Sequence, residues 1–352
     1  MSAVTLQEIP QSPGVWASAW KRLKADRVGM VALGVTLLFV LMVLLAQFGL
    51  VAKDWQREVG TPFAPPHFIG KIVDGSQTAI VEGASGPNID ISDVDPLAPR
   101  YKEWNEAASK FKLTETHKSD TLPLGGDQLG RDVLSKVVKG AQVSITAGLL
   151  AALLATLIGT VLGAVGGYFG GPVGDFLEWV YNVFTSIPYI LLIFALAAVL
   201  KYGPLAGSVG SGVWTVVIIL AVVGWTGIYR LVRAEYIKHR SREYVRAAEA
   251  IGASHFSRMF GHILPNISHV VLVQLSLHVV SFIKTEVILS FLGLGVPLDM
   301  VSWGTMLNEA QSELVQGKWW QMATATVFMS VFVMAFALLT DALRDALDPK
   351  LR

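Results

Sequence analysis

Apolar residues gather into six long runs, near residues 28–50, 143–167, 177–200, 213–229, 270–294 and 322–339. A hydrocarbon core about 30 Å thick takes roughly 20 apolar residues as a helix. The runs therefore predict six transmembrane helices and an all-α polytopic membrane fold. Lys21, Arg22, Lys24 and Arg27 precede the first run, which at this length exceeds the ~7–15 apolar residues of a signal peptide and is read as an uncleaved anchor.

The polar segments between the runs set the expected orientation, because Lys and Arg accumulate in short cytoplasmic loops. Four precede the first run. Arg230, Arg233, Lys238, Arg240, Arg242, Arg246 and Arg258 lie between the fourth and fifth, and Arg344, Lys350 and Arg352 close the chain. The opposite short segments hold only Lys201 and Lys318. Both termini are expected in the cytoplasm. The organisation reads as a cytoplasmic segment (1–27), a first span (28–50), a long external loop (51–140), a five-helix core (141–345) containing a cytoplasmic loop at 241–266, and a cytoplasmic tail (346–352). Pro62, Pro65 and Pro66, and the stretch 90–99, predict turns and extended chain in the external loop. That loop has too few large apolar residues to predict a core of its own. Residues 53–122 nevertheless exceed what a connection needs, so part of them is expected to cover the pore mouth or meet an external partner.

Composition agrees. Charged residues make up 16% of the 352 positions, against roughly 25% in soluble domains. The mean hydropathy of +0.52 excludes disorder and argues against a cytosolic enzyme. A net charge of +1 gives no reason to expect nucleic-acid binding. The absence of cysteine excludes disulfides, thiolate metal sites and cysteine nucleophiles.

Two features stand out inside the runs. Ala147, Ala151, Ala155, Gly159, Gly163 and Gly167 recur at every fourth position, a stripe of small side chains that lets another helix approach closely. Its partner is either another span or a second subunit. Lys284 and Glu286 lie within the fifth run, where a charge facing lipid costs about 2.5–3.5 kcal/mol. Each is expected to face a neighbouring helix or a watery cavity, as an interhelical contact or as part of a pathway. Their spacing of two points them in different directions, so they do not form an i,i+4 pair.

Other patterns carry no chemistry. Gly125-Gly-Asp-Gln-Leu-Gly-Arg131-Asp132 has the glycine spacing of a phosphate loop, but Arg131 and Asp132 stand where Lys and Ser or Thr are required. His255, His262 and His269 recur every seven residues without a carboxylate partner and read as interfacial histidines. There is no nucleophile elbow or dinucleotide fingerprint. Nothing argues for an enzyme.

The segment Glu243-Tyr-Val-Arg-Ala-Ala-Glu-Ala-Ile-Gly252-Ala-Ser-His-Phe-Ser-Arg-Met-Phe-Gly-His-Ile-Leu264-Pro265 reads as helix, glycine break, helix, proline stop, with Ser254 capping the second helix. A short two-helix projection of this kind suits a groove on a partner, or alternatively a lipid surface. It resembles the coupling loop of bacterial ABC-importer permeases. Ala247, Ala248, Gly252, Leu264 and Pro265 match that pattern in register, while Arg246 and His262 replace its usual Glu and Ile. Leu129-Gly-Arg-Asp-Val-Leu, Gly166-Gly-Tyr-Phe-Gly-Gly, Ser290-Phe-Leu-Gly-Leu-Gly, Ser302-Trp-Gly-Thr-Met-Leu-Asn-Glu and the closing Asp341-Ala-Leu-Arg-Asp-Ala-Leu-Asp-Pro-Lys-Leu-Arg resemble the six-span permeases of oligopeptide, dipeptide and nickel importers. Glu286 fits that family's pattern; Lys284 departs from it, and the external insertion is longer than usual.

The resemblance implies a type I ABC-importer permease fold in the bacterial inner membrane. It also implies a second homologous permease, two cytoplasmic ATPase subunits and an external solute-binding protein. ATP and Mg would be bound by the partner subunits only, with no cofactor in this chain, and the ATPases would drive it through Arg246, Ala247, Ala248, Gly252, His262, Leu264 and Pro265. The expected cargo is di- or oligopeptides or related solutes, with nickel as the alternative. An ion-coupled secondary transporter is the rival class; it would show repeated halves, broken helices and several intramembrane acids.

Overall fold

The computed structural model describes residues 15–70, 97, 100–109, 118–203, 212–297 and 299–347. The stretch 90–99, apart from Leu97, and the tail from residue 348 lie outside them. In chain order the helices are α1 (Val15–Ala25), α2 (Arg27–Gln47), α3 (Tyr101–Ser109), α4 (Val133–Phe169), α5 (Gly171–Thr185), α6 (Tyr189–Tyr202), α7 (Val213–His239), α8 (Glu243–Ala250), α9 (Leu264–Phe291), α10 (Trp303–Val315) and α11 (Trp320–Leu347). A π-helical segment, Ser257–Ile263, runs directly into α9. The chain divides into two compact units, Arg57–Asp132 and the remainder.

In the larger unit, α2, α4, α7, α11 and the continuous helix Ser257–Phe291 are long and apolar enough to cross a membrane. The third predicted span takes a different form. α5 and α6 are bent by 87° across a short break, and together they are long and apolar enough for one broken span or a re-entrant loop. Proline explains the break, since Pro188 offers no backbone donor and disfavours helical backbone at Ile187 before it. At the end of α5 the carbonyls of Tyr181 and Val183 accept from Thr185 Oγ1 at 3.0 Å and Ser186 Oγ at 2.8 Å.

α4 is the central element, and its 37 residues at 1.5 Å each give about 55 Å of helix. The small residues at 147, 151, 155, 159, 163 and 167 are all buried. The glycine half of the stripe lies against α7 of the same chain. A β-carbon on Gly163 would stand 2.8 Å from the Tyr229 carbonyl oxygen, and one on Gly167 2.6 Å from that of Arg233. Phe39 of α2 packs edge-on to Trp303 and Phe328, with centroids at 6.4 and 6.1 Å. Leu23 buries against Ala346 and Leu347, so the end of α1 and the end of α11 lie side by side.

The smaller unit was expected to be an elaborated loop with too few large apolar residues for a core of its own. Its described residues close on themselves through bridges between Glu58 and Arg131, Gly60 and Ser119, and Pro66 and Leu122. Asp127 is the clasp. One carboxylate oxygen accepts from the backbone of Leu129 and Arg131, both at 2.9 Å, and the other takes Arg131 Nε at 2.6 Å. These amides, which a phosphate would need, are occupied by the chain's own carboxylate. Gly130 sits at φ +77°, and a β-carbon there would come within 2.8 Å of the Gly60 carbonyl carbon, so the turn requires glycine. The external segment was drawn to residue 140, but α4 already begins at Val133.

Candidate functional site

The segment 241–266 folds around one bend. Glu243 stands in the first turn of α8, where a negative charge complements the helix dipole. Val245 and Ala248 turn inward, and Val245 joins Met259, Ile263, Ile267, Ala164, Ile228, Val232 and Tyr236 in a core. α8 ends in a paired-carbonyl cap, in which Ala253 N–H donates to Ala248 O at 3.0 Å and Gly252 N–H to Glu249 O at 2.9 Å. Gly252 takes the left-handed conformation that this cap needs, with φ +84° and open space where a β-carbon would project.

The bend presents apolar surface outward. Ile251 is 85% exposed and Phe256 72%, with the Phe256 ring 4.8 Å from that of Phe260. Arg246 and Ala247 are exposed, Pro265 is exposed, and His262 and Leu264 are half-buried. Behind the bend, Arg258 pairs with Glu249 at 2.6 Å and donates to His255 Nδ1 at 2.9 Å, while the Tyr168 hydroxyl meets the same nitrogen at 3.0 Å. His255 is thus engaged in holding the bend.

The expected proline stop is not observed. Ser254 does cap the second helix, accepting from Ser257 N–H at 3.2 Å, but the helix passes through Pro265 into α9. The wider π turns precede the proline, and Leu264 N–H bonds to Met259 O, five residues back, instead of four. This register shift accommodates the ring and the missing N–H. Asn266 Nδ2 donates to His262 O at 2.6 Å, and the Tyr236 hydroxyl adds a second bond to Met259 O at 2.9 Å, tying the irregular turns to α7.

Lys284 and Glu286 part company. Glu286 is fully buried, with Ser290 Oγ donating to it at 2.7 Å and the hydroxyls of Ser144 and Ser302 facing the same carboxyl group. Ser290 Oγ also accepts from Val296 N–H at 3.1 Å, and Ser144 Oγ from Trp303 N–H at 3.1 Å. The two motifs that begin at Ser290 and Ser302 therefore meet in one polar node linking α4, α9 and α10. Lys284 is exposed on another face of α9.

One buried group was missed from sequence. Lys136 is fully buried, paired with Glu309 at 2.6 Å and bonded to Gln321 Oε1 at 3.2 Å. Its spacing carried a signal, since it lies four residues before Gly140 and eight before Ser144 on one helical face.

With this geometry in place, the comparisons with known proteins agree in kind. Residues 142–352 match the model of the binding-protein-dependent transport system inner membrane component, and residues 14–66 the N-terminal transmembrane domain of oligopeptide transport permease C. The dipeptide transport system permease protein DppC of Bacillus subtilis is 31% identical over 95% of this chain and 85% of its own. The oligopeptide permease OppC of the same organism is 32% identical over 73% and 81%, and the glutathione permease GsiD of Salmonella typhimurium 40% over 65% and 72%. A chain of the MetNI methionine ABC transporter in inward-facing conformations aligns over 61% of this chain and 97% of its own, at 15% identity and a TM-score of 0.49. The chain belongs to the family of inner membrane components of binding-protein-dependent transport systems.

Proposed function

We propose that this chain forms half of the translocation pathway of an ATP-driven importer for peptides or related small solutes. Its partners in this reading are a second homologous permease, two cytoplasmic ATPase subunits and an external solute-binding protein, and its termini lie in the cytoplasm. ATP and Mg belong to the ATPases, and this chain holds no cofactor. The names of the relatives, which handle dipeptides, oligopeptides and glutathione, support the cargo class.

The observation that carries the reading is the bend at Gly252. It is a rigidly capped turn with bare apolar side chains at its tip, suited to enter a cleft on a partner. Arg246, Ala247 and Gly252 lie toward the tip, while His262, Leu264 and Pro265 mark where the bend meets α9. Motion of an ATPase cleft would enter the membrane helices here.

The test uses the complex reconstituted in liposomes, with uptake and ATP turnover measured together. Gly252→Val is expected to insert and assemble its membrane spans but to lose coupled transport. A left-handed β-branched residue costs about 1–3 kcal/mol, and the side chain would also fill the cleft. Gly252→Asn separates the two effects, because asparagine tolerates the backbone yet still adds bulk, and it should also uncouple. Arg246→Ala should do less. Coupled transport retained by Gly252→Val would sink the reading.

A further inference from the structure

The long exposed faces of α2, α4 and α11 are apolar: Leu149, Leu153, Leu157 and Val161 on α4 are representative, and such faces suit lipid. α9 differs. Gln274, Leu277, Ser281, Lys284 and Ile288 follow one another at alternating spacings of three and four, which places them on one stripe. Gln274 is half-buried and the other four are exposed. Lys284 has no hydrogen bond or ion pair among the described residues. It lies seven residues before Phe291, about two turns inside the helix end. An ammonium facing hydrocarbon is costly at such a position, so this stripe borders water or protein.

The charge on this face has one sign. Glu286, the only acid in α9, is turned away into the node with Ser290. Toward the other end of the stripe, Gln274 and Leu277 also line a cavity of about 340 Å³, a volume within the range of small-ligand sites. Its walls are apolar, its polar groups are His269, Gln274 and Arg344, and no acid lines it among the described residues. Among the described residues, no group of His, Asp and Glu is arranged to hold a metal ion.

Building on the importer reading, we propose that Lys284, with Arg344 and His269 further along, makes this face of the pathway selective for solutes bearing a carboxylate. A peptide presents such a group at its C-terminus, and the ammonium would draw it along the stripe toward the cavity. A divalent cation would be repelled along the same route, so nickel is disfavoured as cargo. Lys284 thus acts as a specificity-determining residue rather than a packing one.

The lack of native cysteine permits a direct test in the assembled complex. Ser281→Cys, one turn from Lys284, is exposed to an anionic sulfonatoethyl and a cationic trimethylammonioethyl methanethiosulfonate, and labelling of this chain is followed by mass. Leu153→Cys serves as the lipid-face control. The expected result is that Ser281→Cys reacts and Leu153→Cys does not. The anionic-to-cationic rate ratio should fall at least threefold when Lys284→Met is added, and further with Lys284→Glu. No labelling at position 281 with or without ATP, or a ratio indifferent to residue 284, would overturn the proposal. Either result leaves the Gly252 test unaffected, so failure here is distinguishable from failure of the importer reading.

Discussion

The close approach of α4 and α7 makes a quantitative prediction at Gly159. A β-carbon there would stand 2.5 Å from the Trp225 carbonyl oxygen and would also press on Ile228 Cγ2. Ordinary contact between such atoms needs roughly 3.5 Å, so the shortfall is about 1 Å. The Ile228 side chain can turn aside, but the Trp225 carbonyl is fixed in helical backbone. Overpacking of this kind costs about 1–3 kcal/mol, partly offset by a gain of up to about 1 kcal/mol when alanine replaces glycine in a helix. Gly34 of α2 is the matched control: it is helical, and its β-carbon would meet nothing within 4 Å. Gly159→Ala should therefore melt below wild type and Gly34→Ala at or slightly above it. At roughly 2–4 °C per kcal/mol the gap between them amounts to several degrees. The assay is thermal unfolding of the purified complex in detergent, followed by loss of its monodisperse peak. Equal melting temperatures for the two variants would refute the tight α4–α7 seam.

Lys136→Met should destabilise the complex by about 1–3 kcal/mol in the same assay, because it removes the buried partner of an ion pair whose carboxylate, Glu309, is partly exposed; adding Glu309→Gln should restore part of the loss, and no restoration would show that the pair is not the cause. Glu286→Gln should lower the melting temperature more than Lys284→Met, because the Glu286 carboxyl is buried against Ser290 whereas Lys284 is exposed; an unsatisfied buried group costs about 1–3 kcal/mol, and the reverse order would remove Glu286 from the node.

Much of the fold was legible because a membrane imposes a simple length rule. Six runs predicted spans; five of them hold helices long and apolar enough to cross a membrane, and the bent pair α5–α6 falls on the other. The errors have local causes. Hydropathy averages over Pro188 and does not register the 87° bend between α5 and α6. It misses the start of α4 because Val133–Phe169 begins with polar turns whose burial depends on Glu309 and Gln321, more than 170 residues away in the chain. Pro265 looked like a stop because proline usually is one, and the π register that accommodates it leaves no simple periodic mark. The external segment looked coreless by apolar count, since its described closure rests on polar contacts: Asp127, the Lys118–Glu58 pair and backbone bridges. At the site, Gly252 was readable because only glycine takes its backbone cheaply. The divergence of Lys284 and Glu286 was readable from their spacing, but not which of them would be buried.

The bend and the polar node lie on one piece of helix. Ser257–Phe291 is 35 residues long, about 50 Å at 1.5 Å per residue, and no loop interrupts it. Its irregular turns are all at the bend end, in the π segment before Pro265, and π turns and prolines are where helices flex. Its two polar anchors differ in kind. At the bend, Arg258 pairs with Glu249, whose side chain is 63% exposed, so water can replace the contact at little cost. At the far end Glu286 is enclosed with Ser290 and the start of α10, where water has no such access. A push on the bend would then be absorbed first by the soft turns and the exchangeable ion pair. Beyond them it would move α9 as a body, because the node yields last. The stripe bearing Lys284 lies on this rigid stretch, just before the node. On the proposed importer reading, its exposure to one side of the membrane or the other would follow the motion of the bend through a single helix, without a relay of separate contacts.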